Sequence, residues 1–74
     1  MFDQKIFCER LRALRLEKGI SQNKLGEKLG LSGQAISDIE RYRRTTTTEN
    51  IYLLAEALET TSDYLLGLSD VRER

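Results

Sequence analysis

The sequence predicts an all-α domain, a compact bundle of five short helices. Three observations carry that prediction. Apolar residues recur at intervals of three and four along most of the chain. Ser, Thr and Gly stand where those runs begin and stop. No stretch alternates with period two, none carries an Asn-Gly or Asp-Gly hairpin turn, and no internal repeat competes.

Taken in order, Ile6, Phe7, Leu11 and Leu14 form the inner face of a first helix, which Gly19 ends as a C-terminal cap. Ser21 suits an N-cap, because its hydroxyl accepts from an orphan backbone N–H. A second helix then runs from about Gln22 to Leu29, burying Leu25 and Leu29, and Gly30 breaks it. Ser32 caps a third helix that turns Ile36 and Ile39 inward, with the small Ala35 beside them. The four threonines from Thr45 to Thr48 disfavour helix and suit a loop, with Thr47 as the fourth N-cap. Ile51, Leu54, Ala55 and Leu58 form a buried stripe. Thr61 caps a last short helix holding Leu65, and Gly67 stops it. Residues 1–68 are expected to form the domain, and residues 69–74 a polar, frayed tail.

Composition removes whole classes of function. A chain of 74 residues holds one small domain with a modest core. The single Cys8 makes no internal disulfide and is expected to be a small, half-buried residue. With one Cys and no His, neither a zinc cluster nor a histidine-based triad can be built, and no metal or cofactor is expected. There is no Gly-rich phosphate loop and no nucleophile beside a base, so the chain is not expected to be an enzyme. The longest apolar run, Ile51 to Ala55, is far short of the ~20 residues that span a bilayer. No secretory signal is visible, and a cytoplasmic protein is expected.

The formal net charge of zero conceals an asymmetry. Residues 1–48 carry ten basic and six acidic side chains, while residues 49–74 carry two basic and six acidic ones. The densest basic point is Arg41-Tyr42-Arg43-Arg44, after which no acid appears until Glu49. A solvated loop has that composition, and so does a cluster that meets phosphate.

The informative stretch is Ser21 to Glu40, SQNKLGEKLGLSGQAISDIE. It encodes two helices of about eight residues joined by a tight turn at Gly30, with Gly26 and Ala35 small where the helices must cross. That is a helix-turn-helix, which places its second helix in the DNA major groove. Together with LRALRLEKGI before it and ENIYLLAEALETTSDYLLG after it, the stretch resembles the lambda-repressor-like, Cro/C1-type (XRE) DNA-binding domain over about residues 7–67. The resemblance implies sequence-specific binding of double-stranded DNA by a transcriptional regulator, most often a repressor that binds a palindromic operator as a homodimer.

Carried over by position, the resemblance assigns base contacts to Gln34, Ser37 and Asp38. It assigns backbone contacts to Gln22, Ser32, Gly33, Arg41, Arg43 and Arg44. Gln22 is also expected to brace the recognition helix. Arg15 and Glu40 match positions that form a partly buried structural ion pair. The chemistry fits unevenly: Gln pairs bidentately with adenine, Asp accepts from a cytosine amino group, and Arg positions on phosphate without specifying sequence. The alternative for Asp38 is an ion pair with Arg41 or Arg43.

Tyr42, Tyr52 and Tyr64 are read first as helix-packing residues, with stacking on bases as the alternative. The chain departs from the family pattern at several positions. Gly33 lacks a reading side chain. Tyr42 and Glu59 stand where glycines are usual. Thr60 and Ser62 replace apolar residues of the usual dimer region, so a dimer is expected to be weak without DNA, with Leu66 and Leu68 as further exposed apolar candidates. The second functional class is a protein-interaction module on the same fold, antitoxin-like or anti-repressor, which the acidic second half of the chain favours.

Overall fold

The computed structural model describes residues 4–73. Of the two predicted spans, residues 1–3 of the domain and residue 74 of the tail lie outside it. Five helices follow one another: α1 (Gln4–Glu17), α2 (Gln22–Leu29), α3 (Gly33–Glu40), α4 (Thr48–Ala57) and α5 (Ser62–Leu66). No strand occurs among the described residues.

Each of the last four helices starts at the residue whose side chain can satisfy an orphan donor. Ser21 accepts from Lys24 N at 3.0 Å, Ser32 from Ala35 N at 3.1 Å, Thr47 from Asn50 N at 3.1 Å and Thr61 from Tyr64 N at 3.0 Å. The helix ends share one form. In every case a left-handed residue stands at the helix end, as the cap itself or just past it, and the next N–H reaches back five residues, as in Ile20 N to Arg15 O and Leu31 N to Gly26 O. Gly19, Gly30 and Gly67 fill three of these left-handed positions, while Tyr42 (φ 66°) and Glu59 (φ 55°) fill the other two.

The core is one cluster drawn from all five helices: Phe7, Cys8, Leu11, Leu14, Leu25, Ile36, Ile39, Leu54, Ala55, Leu58 and Leu65. At about 25 cal/mol per Å2, burying an aliphatic side chain of this kind contributes ~1.5–3 kcal/mol before its entropy is counted. Ile6, Leu29 and Ile51, expected inside, are half-buried, and Leu29 and Ile51 pack against the margin of this cluster. Cys8 is more buried than expected, at 4% exposure, and its thiol donates to the Ile39 carbonyl at 2.9 Å. Burial pushes that thiol's pKa up, the main cause, although the backbone of Tyr42 opposes it.

Gly26 is small for a reason finer than helix crossing. A Cβ there would lie 2.6 Å from the Leu31 carbonyl oxygen and 2.9 Å from that of Ser32, the backbone of the turn between α2 and α3. Gly26→Ala should therefore destabilise the fold by about 2 kcal/mol. Overpacking costs ~1–3 kcal/mol, here at the upper end because backbone cannot swing aside, and alanine's helix propensity returns only ~1 kcal/mol. A thermal melt checks this; an unchanged midpoint would mean that the turn has room to spare.

The segment after α5, expected to be a frayed tail and described as far as residue 73, makes several contacts with the domain. Arg10 donates to the carbonyls of Tyr64 (2.6 Å) and Ser69 (2.8 Å) and pairs with Asp70 at 2.9 Å. Thr60, 1% exposed, donates its hydroxyl to the Arg72 carbonyl at 2.7 Å, and Arg72 pairs with Glu17 at 2.7 Å. The polar residues that make this segment look like a free tail are the ones that tie it to α1 and to the α4–α5 junction. Thr60 is thus an interior residue and lies on no open contact surface.

Candidate nucleic-acid interface

The α2–α3 pair is held at its base by one carboxylate. Arg15 donates to Glu40 from Nε (2.6 Å) and Nη2 (3.1 Å), and its Nη1 reaches the Ile20 carbonyl at 3.0 Å. Gln22 Nε2 donates to the same Glu40 at 3.1 Å. The Arg15 and Glu40 side chains are 10% and 2% exposed, so the pair is buried rather than partly so. Glu40 therefore joins α1, the start of α2 and the end of α3. The brace expected of Gln22 exists, and it acts on the last residue of α3. One amide hydrogen and the amide oxygen of Gln22 are left over at the surface end of the contact.

The outer face of α3 follows from its period. At about 100° per residue, Gln34, Asp38 and Arg41 fall within about 60° of one another, opposite Ile36 and Ile39. Gln34 and Arg41 are exposed and Asp38 is half-exposed. Gln34 Nε2 donates to Asp38 Oδ1 at 3.0 Å, so the Asp38 carboxylate is engaged by Gln34 and not by Arg41 or Arg43. The bond takes one of the two Gln34 amide hydrogens. The other hydrogen and the Oε1 acceptor stay available as a pair.

Ser37 does not join this face. It is 7% exposed, against the expectation that it opens onto a groove. Its angular position is on the flank between Arg41 and the buried Glu40. Ser32 is exposed and its hydroxyl oxygen is already used as the α3 cap. Gly33 is half-buried, and the side chain of Asn23 fills the space that a Cβ there would need. Asn23, exposed beside the start of α3, is a candidate that sequence reasoning passed over. Only the crossing of α2 and α3 brings it to that position.

Arg41, Arg43 and Arg44 follow α3 and are all exposed. None of the ion pairs among the described residues involves them: the partners are Arg10–Asp70, Arg15–Glu40, Lys18–Glu59, Lys24–Glu27 and Arg72–Glu17. Three unpaired guanidinium groups beside the outer face of α3 make a surface suited to anions. Of the tyrosines, Tyr64 packs against the core and carries Arg10 over its ring at 4.1 Å. Tyr42 and Tyr52 do not pack as expected; they are 56% and 55% exposed.

Ile51, Tyr52, Leu66 and Leu68 line an open groove of about 640 Å3 between α4 and α5, together with Thr46, Thr48 and Ser62. Leu68 is 75% exposed. No helix among the described residues is long and apolar enough to cross a membrane.

A family model described as helix-turn-helix matches residues 11–65. The chain is 43% identical over 62 residues to the repressor protein C2 of Salmonella phage P22, covering 84% of this chain and 29% of that protein's length. The solved P22 c2 repressor in complex with synthetic operator 9T superposes with a TM-score of 0.79 at 40% identity, over 85% of this chain and 96% of that one. The restriction-modification controller protein C.AhdI from Aeromonas hydrophila superposes with a TM-score of 0.78 at 38% identity, again over 85% and 96%.

Proposed function

The chain belongs to the helix-turn-helix family, and on that premise we propose that it binds double-stranded DNA as a transcriptional regulator, reading sequence with the outer face of α3. The observation that carries this is the three exposed, unpaired arginines that follow α3 in the chain, at the end of the helix that presents the Gln34–Asp38 pair. Arg41, Arg43 and Arg44 neutralise phosphates and position the domain; Gln22, Ser32 and the backbone at Gly33 contact phosphate at the start of α2 and α3. Gln34 and Asp38 read bases. With its Nε2 turned toward Asp38, Gln34 keeps one donor and one acceptor, the set that matches adenine N7 and N6. The free oxygen of Asp38 accepts from a cytosine or adenine amino group and repels guanine N7 and O6. Ser37, at the flank, contributes least.

The chain acts as a homodimer that represses from a palindromic operator, with two recognition helices in successive major grooves about 34 Å apart. The α4–α5 groove and the exposed Tyr52 and Leu68 support a pairing surface there. Regulation without catalysis fits the family and the absence of any nucleophile–base pair in the sequence. The site sits in the cytoplasm, with the DNA it reads.

Selection of bound duplexes from a random library tests this. An enriched inverted repeat with half-sites about one helical turn apart is the expected result. A folded protein that enriches nothing would sink it and favour a protein-interaction module. In the same assay Gln34→Ala should lose ~1–3 kcal/mol of discrimination at one base step, with binding to random duplexes nearly intact. If its site preference matches the parent's, Gln34 is not a reader.

A further inference from the structure

All five helices end in the same left-handed turn, yet only two of them place a side chain with a Cβ there. Left-handed backbone costs a non-glycine residue energy that glycine is spared, so each exception calls for a compensating use of its side chain. Glu59 has one inside the chain, an ion pair with Lys18 at 3.4 Å. Tyr42 has none. Its backbone N–H is bonded to the Ile39 carbonyl at 3.2 Å, and the following Arg43 N–H to that of Asp38 at 2.9 Å, so the turn is complete without the side chain. Among the described residues, no hydrogen bond and no ring contact involves the phenol. The residue is 56% exposed and is flanked in sequence by two unpaired arginines.

Resting on the duplex-binding reading, we infer that Tyr42 is itself a DNA-contact residue. Its hydroxyl donates to a backbone phosphate beside those held by Arg41 and Arg43, and this contact compensates for the strained turn. Its exposure suits that role: at 56% exposed, Tyr42 is accessible from outside the domain. A phenol O–H can donate to a phosphate oxygen, and such a bond to a charged acceptor is among the stronger ones. It carries no base information, so it should act alike on every sequence.

The experiment compares the parent protein, Tyr42→Gly and Tyr42→Phe on a random-sequence duplex at low salt and on a duplex from the library selection, with a thermal melt of each protein. Glycine relieves the strained φ and removes the side chain; phenylalanine keeps the ring and removes only the hydroxyl. Both variants should melt no lower than the parent, and both should bind each duplex roughly 5- to 10-fold more weakly. Either variant binding within about twofold of the parent overturns the proposal. Weakening confined to the selected duplex also overturns it, because a phosphate contact cannot choose its sequence. If the parent binds no duplex at all, the duplex-binding reading fails and takes this one with it; a binding parent with indifferent variants removes Tyr42 alone.

Discussion

Glu40→Ala should cost about 3–5 kcal/mol of folding stability, the largest loss expected from any single polar substitution in this chain. The carboxylate accepts from Arg15 twice and from Gln22 once, in a site where its own side chain is 2% exposed. Truncation strands a guanidinium that is itself 10% exposed and keeps only its bond to the Ile20 carbonyl. A domain of this length has roughly 4–11 kcal/mol in total, so the loss is a large part of the whole. Denaturant titration should show a lower midpoint with an unchanged slope. The control is the double variant Arg15→Met with Glu40→Leu. Removing both charges leaves nothing stranded, and it should recover most of the loss. A double variant as unstable as Glu40→Ala would mean that the charges themselves, not their mutual satisfaction, hold the helices together.

Reversing Arg43 and Arg44 together to Glu should weaken duplex binding on the order of 100-fold or more near physiological salt, while the melt stays close to the parent's. Neither side chain makes an ion pair within the chain, and both are exposed, so the fold has little to lose. The diagnostic is the salt dependence. Losing two phosphate contacts should flatten the slope of log K against log salt by about 2, equally on selected and random duplexes. A parental slope in the reversed protein would move the phosphate contacts elsewhere, with Lys24 and Lys28 on α2 the next exposed cations to test.

What the sequence made legible is what is decided locally. Ser21, Ser32, Thr47 and Thr61 are caps because each side chain meets a donor three residues on, and such a relation is printed in the chain itself. The Arg15–Glu40 pair came from a resemblance in position, and its burial came from packing. Ser37 is buried although its spacing leaves it near the outer face of α3, and burial is a matter of packing that spacing does not record. The contacts of the segment after α5 are illegible for a similar reason. Its ties to Arg10, Glu17 and Thr60 bridge from 12 to 60 residues, and no local pattern records them. Asn23 escaped notice because its importance lies in the space it takes beside Gly33.

The uniform helix endings also bear on how the chain finds its fold. Every stop, and four of the starts, is made by bonds that span three to five residues. Bonds that short can form on the timescale of a single helix, ~0.1–1 μs, well before distant side chains meet. The bounds of each helix are therefore encoded locally, while docking supplies the stability that helices this short lack on their own. Topologies rich in local contacts fold in microseconds to milliseconds, and this chain should refold in that range.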